Sequence, residues 1–249
     1  MVIPAFNEER LIGSCLDSLA RQTDLDFNLV VVDNASTDRT VSIVERWLDK
    51  HRHIHGRMIG ESQKGTGAAA DTGFRLAISM GADWVARTDA DCLVDSGWVA
   101  AARHNTSRAE MLGGKTRTRT DDHPPRPVER LHLPVTVLAA RMFGKIRPTN
   151  RGLEYLCPYV MCVGNNLAVE AGTYLASGGF PRLAIEDLPV PNDRALVNRV
   201  RRVSSLVRYC PEMIVYNSVR RLRAYGLRRT LRWYADHSLD TERFEVDIR

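Results

Sequence analysis

FNLVVVDNASTD, residues 27–38, decides the fold. Phe27 to Asp33 reads as a continuous, largely apolar run, rich in β-branched valines and closed by Asp33. A run without polar alternation reads as a strand buried on both faces, as when helices cover both sides of a parallel sheet. Ser36-Thr37-Asp38 then offers side-chain oxygens for the start of a helix reaching about Lys50.

Outward from this stretch the alternation repeats. Val2-Ile3-Pro4 reads as a strand end, and Glu8 to Arg21 as a helix with Leu11, Ile12, Cys15, Leu16 and Leu19 on one face. His55 to Glu61 reads as a strand, Gly65 to Met80 as an Ala-rich helix, and Ala82 to Thr88 as a further strand. This order predicts an α/β fold, a mixed and mainly parallel sheet flanked by helices. Ligands of such sheets bind beyond the carboxyl ends of the strands. Asn7, Glu8, Asp33, Glu61, Asp89 and Asp91 each follow a predicted strand, so one rim is expected to gather them.

After Trp98 the pattern loosens. His104 to Met111 reads as an approach to a strand, and Asp121 to Pro127 as a Pro-rich charged loop. Val128 to Phe143 reads as a helix with Leu131, Val135, Leu138 and Met142 along it. Val163 to Val169 leads into a strand, Gly178-Gly179-Phe180-Pro181 into a turn, Asp193 to Val200 into a helix, and Leu206 to Tyr216 contains a last strand.

Composition sets bounds on function. The chain has 249 residues, 44% hydrophobic and 26% charged, ordinary values for a globular domain. Its net charge of +5 is uneven, with the doublets Arg201-Arg202, Arg220-Arg221 and Arg228-Arg229 in the C-terminal part. Such an excess suits an anionic ligand or membrane surface. No nucleic-acid motif accompanies it, so no nucleic acid is expected as a partner. Cysteines 15, 92, 157, 162 and 210 form no CxxC pair, which suggests buried thiols in a reducing compartment. No apolar stretch approaches 18 residues and no signal-peptide pattern precedes the first strand, so a cytoplasmic location is expected, extending to the inner face of the membrane. Histidines 51, 53 and 55 read as surface residues at a helix end.

The chemistry concentrates at Asp89-Ala90-Asp91. Two carboxylates one residue apart at the exit of a buried strand repel each other, and a hard divalent cation relieves that cost. The small Ala90 between them leaves room for a phosphate. A strand followed by a helix cap gives the same letters. Asp33 is placed to accept hydrogen bonds from a nucleobase or ribose, or simply to precede an N-cap. Lys64-Gly65-Thr66-Gly67 opens a helix, where anions bind, and also reads as a plain loop.

VIPAFNEER, VVVDNASTDRT, KGTGAAADTGFRLA and ARTDADC, in this order, resemble the family 2 glycosyltransferases of GT-A fold, and GNNLAV (164–169) with GGFP (178–181) resembles their acceptor-side region. The resemblance implies a single domain over 1–249, with a nucleotide-sugar half (1–98) and an acceptor half (99–249) that ends in a basic helical segment. It implies a hexosyltransferase acting on a nucleotide-diphosphate sugar, usually with inversion, and an acceptor that is a glycan, a lipid or a small molecule. Pro4, Ala5, Asn7, Glu8, Asp33, Lys64, Asp89, Ala90 and Asp91 would contact the donor. Asp91, with Asp89, would hold Mg2+ or Mn2+. Arg220 or Arg221 would close over the diphosphate. For the catalytic base two positions stand. Glu186-Asp187 has the family's letters but is followed by Leu-Pro-Val-Pro, which cannot continue as a helix. Asn192-Asp193 lacks the usual Glu but opens a helix with the expected offsets. Asp193 is preferred, with Asp187 as the alternative.

Other functions fit less well. A sugar nucleotidyltransferase would carry a Gly-rich basic loop after the first strand, where this chain has Ala5-Phe6-Asn7-Glu8-Glu9-Arg10. A dinucleotide oxidoreductase would need GxGxxG there. A non-catalytic nucleotide-sugar-binding relative is the remaining alternative, which the intact acidic triplet disfavours. The Val128 to Phe143 helix and the basic C-terminal segment are expected to meet either a membrane surface carrying a lipid-linked acceptor or a second copy in a homodimer.

Overall fold

The computed structural model describes residues 1–121, 137–138, 141–182, 191–218 and 220. Eight strands form one sheet: β1 (Val2–Ala5), β2 (Leu29–Asp33), β3 (Gly56–Gly60), β4 (Trp84–Arg87), β5 (Leu93–Val94), β6 (Met111–Thr118), β7 (Leu167–Glu170) and β8 (Val207–Asn217), in the order β3-β2-β1-β4-β7-β6-β8-β5. The pairings make β5 and β7 antiparallel to the rest, and the other six strands run one way. The mixed, mainly parallel α/β architecture expected from the sequence is the one found. Strand order reverses between β1 and β4, the kind of crevice where open α/β sheets bind ligands.

The helices are α1 (Ile12–Ala20), α2 (Thr40–Lys50), α3 (Thr66–Ser79), α4 (Trp98–Asn105), α5 (Ala171–Ala176) and α6 (Asn192–Val200), and residues 141–146 are also helical. Two core clusters lie against the sheet. One packs Ile12, Cys15, Leu16 and Leu19 of α1 with Ile3 and Val31, and the other packs Phe74 of α3 with Val2, Val32, Tyr174 and Leu196. β2 is buried on both faces because its alternate valines feed these two clusters. Gly73 on α3 allows close approach, since a Cβ there would lie 2.4 Å from Val2 Cγ1 and 2.8 Å from Val32 Cγ2.

Several boundaries differ from the sequence expectation. α1 begins at Ile12, not Glu8: residues 8–11 form a turn closed by the Leu11 and Ile12 N–H groups on Glu8 O, and the Glu8 N–H at its start donates to Thr40 Oγ1 (2.7 Å). Of the expected Ser36-Thr37-Asp38, it is Asp38 that serves the start of α2, accepting from the Thr40 N–H at 2.9 Å. His104 lies in α4 rather than on a strand approach, because Trp98, Val99 and Ala102 make a buried helical face. Residues 163–166 form a turn (Asn166 N–H to Val163 O, 2.9 Å), so the strand starts only at Leu167. Most of the Val128 to Phe143 helix and the C-terminal segment lie outside the described residues.

Gly73→Ala should destabilise the fold by about 1–3 kcal/mol through overpacking, although Ala is the better helix former by about 1 kcal/mol. Urea denaturation read by circular dichroism measures this, and a variant of equal or higher stability would refute the close-packing account.

Candidate active site

Six loops meet where the six co-directional strands end, joined by the turn that precedes antiparallel β7. Asn7 and Glu8 follow β1, Asp33 ends β2, Glu61 follows β3, Asp89 and Asp91 follow β4, Arg119 follows β6, and Arg220 follows β8.

The first two loops interlock. Asn7 takes φ = 52° and Ala35 φ = 65°, left-handed conformations that cost Ala more than Asn. Hydrogen bonds hold both turns: Asn7 N–H donates to Ser36 Oγ (3.0 Å), Thr37 N–H to Asn7 Oδ1 (2.8 Å), and Ser36 N–H to Asp33 Oδ2 (3.2 Å). Asp33 is thus tied to its own turn, with its carboxylate half-buried. Pro4 and Ala5 are buried in β1, and Ala5 O accepts the Asn34 N–H. Buried Asn34 fixes the loop bearing exposed Lys64: its Nδ2 donates to Glu61 O and Gln63 O (2.8 Å each), and its Oδ1 accepts the Gly65 N–H.

At the acidic triplet, guanidinium groups meet the carboxylates. Buried Arg87 donates to Asp89 Oδ1 from Nε (3.0 Å) and Nη2 (2.8 Å). One nitrogen of Arg220, Nη2, bridges Glu8 Oε1 at 2.6 Å and Asp91 Oδ2 at 3.0 Å. Buried Arg119 donates to Asp91 O and Ser14 Oγ and pairs with Asp121. Burial raises the Glu8 carboxyl to about 8, with Arg220 pulling it down and Asp91 and Asp89 adding to the rise. Burial opposes the Arg220 charge, but Glu8 and Asp91 outweigh it and raise its pKa. Ala90 packs into the core beside α1, so packing as well as ligand access demands a small residue there.

The second half of the chain closes the rim. The Gly164 N–H donates to Asp193 Oδ2 (3.2 Å) and the Arg194 N–H to Asp193 Oδ1 (2.7 Å). A Cβ on Gly164 would lie 3.4 Å from Asp193 Cβ and 3.5 Å from Arg87 Nη1. Asp193 therefore neighbours the same arginine that holds Asp89. Arg182 ties the halves together, donating to Glu61 Oε2 (2.7 Å) and Thr72 Oγ1 (2.8 Å). Asp187 and Arg221 lie outside the described residues. Arg87, Arg119 and Arg182 were not singled out from the sequence. Only Arg87 left a signal there, a charge inside an apolar strand two residues before Asp89.

Among the described residues no three His, Cys, Asp or Glu side chains form a metal cluster. Asp89 and Asp91 offer hard oxygens and expect the rest of a coordination shell from phosphate and water, the usual arrangement for Mg2+. Asp91 Oδ1 receives only the weak Cys92 thiol at 3.4 Å, and Glu8 Oε2 is buried without a partner. The donor set therefore fits a divalent cation.

A crevice at a strand-order reversal, rimmed by carboxylates and guanidinium groups, places this chain among the open α/β proteins that bind ligands beyond the carboxyl ends of their strands. Residues 1–153 match Glycosyl transferase family 2, and the chain belongs to that family. It is 35% identical over 74 residues to a chondroitin synthase of Escherichia coli, a match covering 30% of this chain and 10% of that protein. Among solved structures it resembles a mannosyltransferase of Pyrobaculum calidifontis in complex with GDP-Man and Mn2+ (TM-score 0.66, 23% identity, 93% of this chain and 59% of that one). It also resembles S. aureus TarS 1–349 in complex with UDP-GlcNAc (TM-score 0.60, 19% identity, 87% and 57%). The chain thus covers less than two thirds of each of these relatives, and the structural likeness establishes a shared GT-A fold.

The ties on Glu61 predict a pH effect. Burial opposes its ionisation, but donors from Thr72, Gln63 and Arg182 prevail and lower its pKa from 4.5 to about 2. This carboxylate stabilises the fold fully above pH 4.5, and its contribution is lost as pH falls towards 2. In Glu61→Gln, acid unfolding should lose steepness across that interval. An unchanged acid limb by fluorescence titration would refute the assignment.

Proposed function

We propose that this protein is a metal-dependent, inverting glycosyltransferase that moves a hexosyl group from a nucleotide-diphosphate sugar to an acceptor hydroxyl. The observation that carries this reading is the juxtaposition of Asp89 and Asp193 around Arg87 and Gly164. It joins a pair of hard carboxylates to a further carboxylate held by two backbone donors. Residues 1–98 would supply the donor half and residues 99–249 the acceptor half of one domain.

In this reading Asp33 and the Pro4 to Glu8 turn hold the nucleoside, with Lys64 beside it. Asp91 and Asp89 would hold Mg2+ or Mn2+, which when bound supplies Lewis-acid stabilisation of the departing diphosphate. Arg87 fixes Asp89 through two hydrogen bonds to one oxygen. Arg220 supplies the guanidinium that meets diphosphate oxygens, a geometry that suits arginine. The Gly164 and Arg194 N–H groups orient Asp193 as general base. The acceptor hydroxyl loses its proton to Asp193 as its oxygen bonds to the anomeric carbon. The bond from that carbon to the diphosphate breaks on the opposite face, which inverts the configuration.

Two variants test this. Asp193→Asn should lower kcat by about 10²–10⁴ while donor binding is retained. If Asp187→Asn does so instead, the base is Asp187. Asp91→Asn should abolish Mn2+-dependent binding of nucleoside diphosphates by calorimetry across a nucleotide panel. Absence of any metal-dependent nucleotide binding in the parent protein would overturn the reading.

A further inference from the structure

The span 138–156 is unlike the rest of the surface. Leu138, Met142, Phe143, Ile146, Leu153 and Leu156 are all exposed, Met142 at 64% and Phe143 at 59%. Single exposed leucines are ordinary, but a cluster of this kind marks an interaction site. Interleaved with them are Arg141, Lys145, Arg147 and Arg151, against Glu154 as the one carboxylate of the span. Met142 and Ile146, four apart within the helical residues 141–146, share a helix face.

This surface is anchored. Asn150 is buried, and its Nδ2 donates to Gly144 O at 2.8 Å. Asn198 Nδ2 donates to Asn150 Oδ1 at 2.9 Å. Buried Arg201 donates to Asn150 O (3.2 Å) and Cys157 O (2.8 Å), and its guanidinium stacks 4.1 Å from the Tyr155 ring. Between these groups opens a cleft of about 510 Å³ lined by Lys145, Arg151, Arg201, Tyr155 and Tyr159, with no carboxylate among the described residues of its walls. Apolar side chains, aromatic rings and cations side by side are what a bilayer interface selects.

Charge decides between occupants. A second copy seated on this face by two-fold symmetry would set its cations against themselves. The chain's own residues 221–249 carry seven arginines against five carboxylates, a net positive charge that does not favour seating the segment as a whole on a basic face. A bilayer bearing phosphate headgroups complements both the apolar and the basic components.

We propose that the 138–156 surface docks on a lipid bilayer with anionic headgroups, its apolar side chains entering the headgroup–acyl boundary and its cations meeting phosphates. Docking stands apart from the glycosyl-transfer reading, but together they narrow the acceptor class, a step that does rest on that reading. α6 clamps this surface through Asn198, Arg201 continues its last turn, and its first turn carries Asp193. At 1.5 Å per residue that separation is about 12 Å. A membrane-borne acceptor would then be presented on the Asp193 side.

Co-sedimentation of the full chain with phosphatidylcholine vesicles, alone or mixed with phosphatidylglycerol, tests the docking. Binding is expected to the mixed vesicles only and to weaken with salt. Lys145→Ala with Arg151→Ala should reduce partitioning by about fivefold for each cation removed. Phe143→Ser with Ile146→Ser should abolish it, and both pairs should keep the parent melting temperature and nucleotide binding. Pelleting with neither vesicle, parental pelleting by the variants, or self-association in ultracentrifugation that the same substitutions remove would each overturn the proposal. Intact vesicle binding without any donor turnover would sink the transfer reading and leave docking standing.

Discussion

Three carboxylates, Glu8, Asp89 and Asp91, are held together where β1 and β4 end, and their mutual repulsion is the constraint around which the site is built. Like charges at short range in a partly buried crevice favour protonation or dispersal. Two guanidinium groups oppose both. Arg87 reaches up from β4 to Asp89, and Arg220 reaches across from the end of β8 to Glu8 and Asp91. At Glu8 burial wins: desolvation first, with Asp91 and Asp89 adding to it, keeps this carboxyl well above the usual range in spite of Arg220.

The same crevice depends on loops that fix one another rather than on any one element. The turn after β1 is locked to the turn after β2 through Asn7, Ser36 and Thr37. The turn after β2 holds the loop after β3 through Asn34. That loop is tied by Glu61 to Arg182, just beyond the Gly178-Gly179 turn of the second half. Each bond is modest by itself, at about 0.5–1.5 kcal/mol net, or up to about 3 kcal/mol with a charged partner. Their value lies in giving the loops of the two parts of the chain one shared frame, in which Asp193 and the arginine that holds Asp89 both flank Gly164.

Much of this was legible in the chain itself. The valine run of β2 announces a strand covered on both faces, and Asp33, Glu61 and Asp89 follow strands whose periodicity is plain. The start of α1 was not legible, because Glu8 and Glu9 are good first-turn residues, and the turn that replaces the first helical turn is fixed by distant partners, Glu8 N–H on Thr40 and Glu9 N–H on Asp38. α4 was hidden for a similar reason: its buried face faces β8, and the indole N–H of Trp98 bonds to Asn166. Arg119 and Arg182 look like unpaired surface charges in sequence, since nothing local distinguishes an arginine with a distant partner from a solvated one.

The sequence by itself determined the class of fold, the strands that end in chemistry, and the identity of the acidic triplet. These follow from local periodicity and residue type, which need no distant partner. Tertiary structure alone decided which cations hold the carboxylates, that Ala90 serves the core, that Asp193 and Arg87 both flank Gly164, and that Asn150 and Arg201 anchor the segment bearing the exposed apolar and basic residues of 141–156. Those facts depend on contacts between residues tens to hundreds of positions apart, and Coulomb attraction and burial act on distance in space, not along the chain.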